Sequence, residues 1–440
     1  MRKVLRWVGV AVLAVLALFF ALFSLLQTPS GKKLAATAVA HVASSPNSVW
    51  TIEGLGGVLP FRMTARRIAV SDPGGVWLSL KDVRLDIDPA ALLRGELGLR
   101  LVSAAEVYKA RSAAGPAKPL VDSLHVPHLP IPVTVDRLEI DQLVLGPAML
   151  GTRVVATVAG DLAVRPGIAR ARLDIHRIDG SAGKIGLQLT LSGAKPKLRL
   201  RLDAEDPTGI VDDRIFGRTD HLPLALSLDG DGPISDWRGR LTASAGSRAR
   251  LDALVALGVS NKTSVGLSAH AAAATLLPSA LVPLIGDDAK LSLHGAFGEQ
   301  TVVDRLSFAA AFGTLAGNGE YGGPGGSVAA DLRADLRDLS RFAAIAGREL
   351  HGSAIVTAKL SGSKSRPAVK AQIAASEVEA SGAGARSVAA EVAVTPTGAL
   401  DAQQTPFAID AHGQLAGLAL PQGLASQGGA LAARIGEKIT

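Results

Sequence analysis

The chain contains no cysteine among its 440 residues. That absence excludes disulfides, thiolate metal sites and a cysteine nucleophile. Aromatic residues make up only 4% of the sequence, with ten phenylalanines, four tryptophans and two tyrosines. A face that stacks nucleic-acid bases or sugar rings wants more of them, so no nucleic-acid partner is expected. The net charge is +7, but the positive residues are dispersed, and Lys32-Lys33 and Arg66-Arg67 are the tight basic pairs. Most of this charge reads as solvated strand faces. Lys32 and Lys33 are placed to meet anionic headgroups.

Catalytic signatures are missing too. There is no G-x-S-x-G, no Walker A and no H-E-x-x-H. Gly317-Asn318-Gly319-Glu320-Tyr321-Gly322 fits G-x-G-x-x-G. The Gly322-Gly323-Pro324-Gly325-Gly326 run prevents a helix from opening there, so it reads as a hairpin turn. Ser192-Gly193-Ala194-Lys195 and Ser361-Gly362-Ser363-Lys364 fit S-x-x-K but have no partner motif, and both read as inter-strand turns. His125 and His128 sit in a proline-bearing loop without a nearby acid in sequence. Asp206, Asp212 and Asp213 read as loop and cap residues. The sequence therefore predicts no enzyme, no metal and no cofactor.

Long hydrophobic runs are absent, except one. Trp7 to Leu26 reads WVGVAVLAVLALFFALFSLL, without a charge. About 20 residues at about 1.5 Å each cross a hydrocarbon core of about 30 Å. Arg2, Lys3 and Arg6 precede the run and keep residues 1–6 in the cytoplasm by the positive-inside rule. A cleaved signal peptide is the rival reading. The run is too long for one, and no A-x-A-like site follows. Residues 7–26 are thus expected to be a single-pass anchor, with the bulk of the chain on the far side. Residues 27–48 are expected to form a membrane-proximal helix and linker. Its helix spans Ser30 to Val42, with Ser30 as candidate cap.

Beyond residue 48 the period becomes 2. Val83-Arg84-Leu85-Asp86-Ile87-Asp88, Leu187-Gln188-Leu189-Thr190-Leu191, Leu198-Arg199-Leu200-Arg201-Leu202-Asp203 and Leu224-Ala225-Leu226-Ser227-Leu228-Asp229 alternate apolar with polar or small residues. Leu291-Ser292-Leu293 and Leu306-Ser307-Phe308 continue the pattern. Such strands have one apolar and one wet face. Turn residues such as Asp72-Pro73-Gly74-Gly75 and Asp229-Gly230-Asp231-Gly232-Pro233 separate them. About 20 strands are expected, with short helices over Pro89–Arg94, Ala271–Ile285 and Asp338–Ala346. A Leu-x-Gly unit recurs at Gly230, Gly295 and Gly362, at spacings of 65 and 67 residues. That periodicity points to an array rather than a compact barrel.

The predicted fold class is all-β dominated: an N-terminal transmembrane helix, then an elongated, curled sheet over residues 49–436 with a few short helices. About 20 strands at about 4.8 Å spacing make a sheet too long for those helices to cover. A curled sheet solves this by lining a groove with its apolar side chains, which suits acyl chains. The candidate groove residues are Val83, Leu85, Ile87, Leu187, Leu189, Leu191, Leu198, Leu200, Leu202, Leu224, Leu226 and Leu228. The alternative is a set of closed sandwiches on a membrane tether, with no lipid cargo.

Three stretches then resemble a known family. They are Trp50-Thr51-Ile52-Glu53-Gly54-Leu55-Gly56-Gly57-Val58-Leu59-Pro60, Ile68 through Leu78 (IAVSDPGGVWL), and Val83 through Leu97 (VRLDIDPAALLRGEL). After an N-terminal anchor, this order of I-x-G-x-x-G-x-L, D-x-x-G-x-W-L and P-x-x-L-L-x-G-x-L is similar to the start of the TamB proteins, within the AsmA-like group. The resemblance covers most of residues 1–365 and carries no catalytic motif. It implies a bacterial inner-membrane protein with a taco-shaped periplasmic β-structure and a hydrophobic groove. It further implies movement of phospholipid towards the outer membrane, and partnership with an Omp85-type barrel in outer-membrane protein assembly and secretion. Family members are longer and end in a domain that meets the barrel. Gly436-Glu437-Lys438-Ile439-Thr440 lacks such a segment, so a truncated or split product is expected.

Overall fold

The computed structural model describes residues 23–45, 48–112, 129–180, 182–209, 222–259, 263–272, 277–298, 300–322, 326–380, 382–396 and 407–419. They are dominated by β-strands joined by tight turns, with a few short helices. The chain divides into two compact units, Met1–Pro223 and Leu224–Thr440, and each is described by itself.

The first unit starts in a helical turn over residues 23–27, followed by helix α1 (Pro29–Ala43). The expected anchor lies outside the described residues, apart from its last four. Among the described residues no helix is long and apolar enough to cross a membrane. Thr28, not Ser30, caps α1: its Oγ1 accepts from the N–H of Gly31 at 3.0 Å. The reason is Pro29, which lacks an N–H and fits the first helical turn, so the helix begins one residue earlier. Gln27 ties this segment to the sheet. Its Nε2 donates to the Leu59 carbonyl at 2.7 Å, and the Leu59 N–H donates to Gln27 Oε1 at 3.1 Å.

Strands β1 (Val49–Glu53), β2 (Gly56–Val58), β3 (Arg62–Asp72) and β4 (Gly75–Ile87) follow, with β3 pairing β1, β2 and β4. Helix α2 (Pro89–Leu93) is capped by Asp88 and leads into β5 (Leu97–Lys109). Next come β6 (Val133–Leu145), the one-turn α3 (Pro147–Leu150), β7 (Val154–Arg165), β8 (Ile168–Arg177), β9 (Lys184–Ser192) and β10 (Lys197–Asp206). Every neighbouring pair from β3 to β10 is antiparallel except β5–β6, which run parallel. A parallel pair needs a long crossover, and the 23 residues 110–132 supply it.

The second unit is an uninterrupted antiparallel meander. Its strands are β11 (Leu224–Pro233), β12 (Trp237–Ala245), β13 (Ala249–Val259), β14 (Thr263–Ala272), β15 (Ala289–Phe297) and β16 (Gln300–Ala310). They continue with β17 (Gly313–Gly322), β18 (Ser327–Leu336), β19 (Leu350–Ser363), β20 (Arg366–Ala380), β21 (Ala383–Pro396) and β22 (Phe407–Ala419). The repeat seen in the sequence is four strands long, since Gly230, Gly295 and Gly362 fall on β11, β15 and β19. Helix α4 (Val282–Ile285) precedes β15, and a 3-10 turn (Leu339–Phe342) with α5 (Ala343–Ala346) precedes β19.

Two expectations are corrected here. Ala271 and Ala272 belong to β14, and only Val282–Ile285 of the expected helix is helical among the described residues. Ala271 is paired on both sides, with Leu251 and Ala289, so sheet context overrides alanine's helix propensity. Gly317–Gly322 is not a turn but part of β17. Its glycines fit close beneath β18: a Cβ on Gly317 would meet the Asp331 carbonyl.

Candidate apolar face for acyl chains

Facing residues on neighbouring strands project to the same side of a sheet, so the registers show which side chains share a face. In the first unit one row runs Leu202, Leu187, Leu173, Gly160, Leu138, Val102, Leu85 and Met63, from β10 back to β3. A second row runs Leu200, Leu189, Ala171, Leu162, Val135, Leu99 and Ile87. A third begins Leu198, Leu191, Ala169 and Val164. Val83 pairs with Ala65, two residues from the first row's Leu85–Met63 pair. The nine groove candidates of this unit therefore lie on one face of one sheet.

In the second unit the rows are longer. Leu228, Leu241, Ala253, Ala269, Leu291, Phe308, Leu315, Ala334, Val356, Ile373, Ala390 and Gly413 align across all strands from β11 to β22. A parallel row runs Gly230, Gly239, Val255, Leu267, Leu293, Leu306, Gly317, Leu332, Ala358, Ala371, Val392 and Ala411 across the same strands. Leu224 and Leu226 sit on the same side as Leu228 by alternation. Neither row contains a charge.

These faces are not sealed. Leu200, Leu202, Leu187 and Leu189 are partly exposed, and so are Leu241, Leu291, Phe308, Leu315, Val356 and Ile373. Leu162, Ile185, Leu226 and Leu332 are 38%, 40%, 36% and 36% exposed. A second layer packed on these rows would bury side chains of this size almost fully. The third row of the first unit is tighter, with Leu191 at 5% and Leu198 at 6%.

The opposite face is wet and charged. Arg199 and Arg201 alternate with the leucines of β10 and are exposed. Lys184 pairs with Glu205 at 3.1 Å across β9–β10. Asp288 accepts from Lys290 at 3.2 Å and lies 2.6 Å from His270 Nε2. Its carboxyl is held below the ordinary range by the Lys290 hydrogen bond first and the His270 contact second. Exposed pairs of this kind contribute little to stability. An open concavity of about 990 Å³ lies on this face, beside Asp229, Arg240, Ser268, Ser292, His294 and Arg305. Among its lining residues His294 lies 3.1 Å from Asp304, and Arg238 lies 3.2 Å from Asp236.

One rim of the second unit's apolar face is built up. The N–H groups of Ala311 and Phe312 donate to the carbonyls of Ile285 and Leu284, and Arg341 Nη1 donates to the Pro283 carbonyl at 3.0 Å. These bonds bring α4 and the 339–346 turn to the same strand ends. Phe308, on the apolar face, lies 5.9 Å from Phe312, which meets Phe342 edge-on at 6.4 Å. Asp338 caps the turn through the N–H of Ser340 at 3.0 Å.

No cluster of three potential metal ligands occurs among the described residues. His125, His128, Asp212 and Asp213 lie outside them. Asp206 caps a local turn through Thr208 and lies 3.9 Å from Arg177 Nη1. The sequence named groove residues as far as Leu228 and showed the same alternation at Leu291-Ser292-Leu293 and Leu306-Ser307-Phe308, but Ala253, Leu315, Val356 and Ile373 were missed because alanine and glycine on the same face dilute the pattern. No family model, curated protein or solved structure matches the chain.

Proposed function

We propose that the chain is a non-enzymatic, membrane-anchored β-sheet protein whose apolar face carries the acyl chains of phospholipids. The observation that supports this reading most is the charge-free row from Leu228 to Ala390, partly exposed on almost every strand it crosses. A large uncovered apolar surface is unfavourable in water unless it has an occupant. An acyl chain needs what these rows offer, namely aliphatic side chains and no fixed polar contacts.

The anchor at Trp7–Leu26, an inner-membrane location with the sheet in the periplasm, and the TamB-like character belong to the same proposal. So does help to an Omp85-type barrel in outer-membrane assembly. The clamp between Gln27 and Leu59 favours the anchor reading, because it ties the sheet to the residue that follows the apolar run. No nucleotide motif is present in the sequence, so direction of transport comes from a partner or a gradient.

The test is lipid analysis by mass spectrometry of the full chain purified in mild detergent, beside Leu200→Asp and Ile373→Asp. Both sites are partly exposed, so both variants are expected to fold and to carry less phospholipid. Equal lipid in all three contradicts the proposal. Absence of lipid from the parent chain favours a membrane-tethered structural repeat instead.

A further inference from the structure

The second apolar row of the second unit begins with two glycines, Gly230 on β11 and Gly239 on β12, where the next strands place Val255, Leu267, Leu293 and Leu306. The space is not empty. A Cβ built on either glycine would collide with the Trp237 indole, so the ring lies over both backbones. Trp237 projects from the same face, two residues before Gly239. It is 2% exposed, and Ile234 of the connecting 3-10 turn (Ile234–Asp236) is 7% exposed. One strand further on, Val255 and Leu257 are partly open. The indole N–H is buried without an acceptor. The ring is therefore held by shape alone, with no hydrogen bond fixing it over the glycines.

We propose that Trp237 is the end wall of the acyl track in the second unit. A chain lying along the Val255–Leu306 row abuts the indole edge, and along that row it reaches Gly230 only when the ring leaves the two glycines. Trp237 then sets how far acyl chains extend on this row, while the neighbouring Leu228–Leu241 row stays open beside it. This inference rests on the lipid reading above.

The experiment uses the full chain with Trp7, Trp50 and Trp77 replaced by phenylalanine, so that Trp237 alone emits. The protein is loaded from vesicles of phosphatidylglycerol brominated near the acyl termini, or of the unbrominated lipid. In parallel, a photo-crosslinking residue at Leu293 reports lipid on this row, and mass spectrometry reads the acyl-chain lengths of the captured lipid. Brominated lipid is expected to quench Trp237, with capture at Leu293 strong. Trp237→Ala should shift the captured lipid to longer acyl chains, while Trp237→Phe leaves the chain lengths unchanged. Capture at Leu293 without quenching overturns the inference, as does the same chain-length distribution in all three proteins. No capture at Leu293 in any of them overturns the lipid reading itself. Should Trp237→Ala fail a protease-resistance check, quenching and the Trp237→Phe protein still decide the matter.

Discussion

The two units share one pattern of alternation and close it differently. In the first, both faces are covered at one end of the sheet. Val70 and Val144 are each 1% exposed and project from opposite faces. Nearby, Asp72, with a fully buried side chain, is gripped by Arg111 through both carboxylate oxygens and accepts from Gly74. That hydrogen bond to Asp72 raises the Arg111 pKa further above its ordinary value. The second unit has tight hairpins, a repeating four-strand module and long rows of half-exposed side chains. Alternation alone thus specifies a two-faced sheet without deciding how far each face is covered. Among the described residues the first unit has the helix α1 packed beside β1, whereas the second has little besides its rim turns.

This contrast breaks first at the level of stability. Val144→Asp places a charge where nothing can solvate it, which costs several kcal/mol. That is a large part of the stability of an ordinary domain. Ile373→Asp, on the open face, is expected to leave the second unit folded. Limited proteolysis and urea unfolding of the two variants check this, and equal loss in both would mean that the second unit's face is as closed at Ile373 as the first unit is at Val144.

A smaller effect is expected at Gly230→Ala. The new methyl group must displace the Trp237 ring, and overpacking of this kind costs about 1–3 kcal/mol. The tryptophan emission should move to the red as the ring meets water. A blue or unmoved spectrum would show that the ring does not rest on Gly230.

The smallest effect concerns acid. The Asp338 carboxyl is held below its ordinary 3.8, by the Ser340 hydroxyl first, then by the Ser340 N–H and the nearby Arg341. A lowered carboxylate contributes stability that is present above the unfolded value and is lost as pH falls through the folded one. The rim turn should therefore loosen only below about pH 4. Asp338→Asn keeps a cap and removes that dependence, which hydrogen exchange at Ser340–Ala343 reads between pH 3 and 6. Asp88 caps α2 in the first unit in the same manner. Burial opposes its charge most, but the Ala90 N–H and Arg100 together win and lower it.

Much of the architecture was legible. Leu198-Arg199-Leu200-Arg201-Leu202 states its two faces because period 2 puts every second residue on one side. The short helical turns expected over Pro89–Arg94 and Asp338–Ala346 were legible as well. Other features were not, because they depend on contacts between distant residues. The parallel β5–β6 pairing is set by where the crossover returns, which no local pattern encodes. Register across β11–β22 is set by each connection in succession, so the row from Leu228 to Ala390 emerges only from pairing. Ala271-Ala272 favours helix in isolation and becomes strand between Leu251 and Ala289. Gly230 read as a turn residue and lies instead within β11, and its role with Gly239 beneath Trp237 requires the ring to fold back over two strands.

The central claim is that one face meets acyl chains and the other meets water. Leu200 and Arg201 are adjacent in sequence and opposite in face. A photo-crosslinking residue placed at each in turn, in cells, with adducts read by mass spectrometry, tests the claim most directly. Phospholipid adducts at Leu200 but not at Arg201 are expected. A folded protein with no lipid adduct at either position, or with equal adducts at both, would contradict the account.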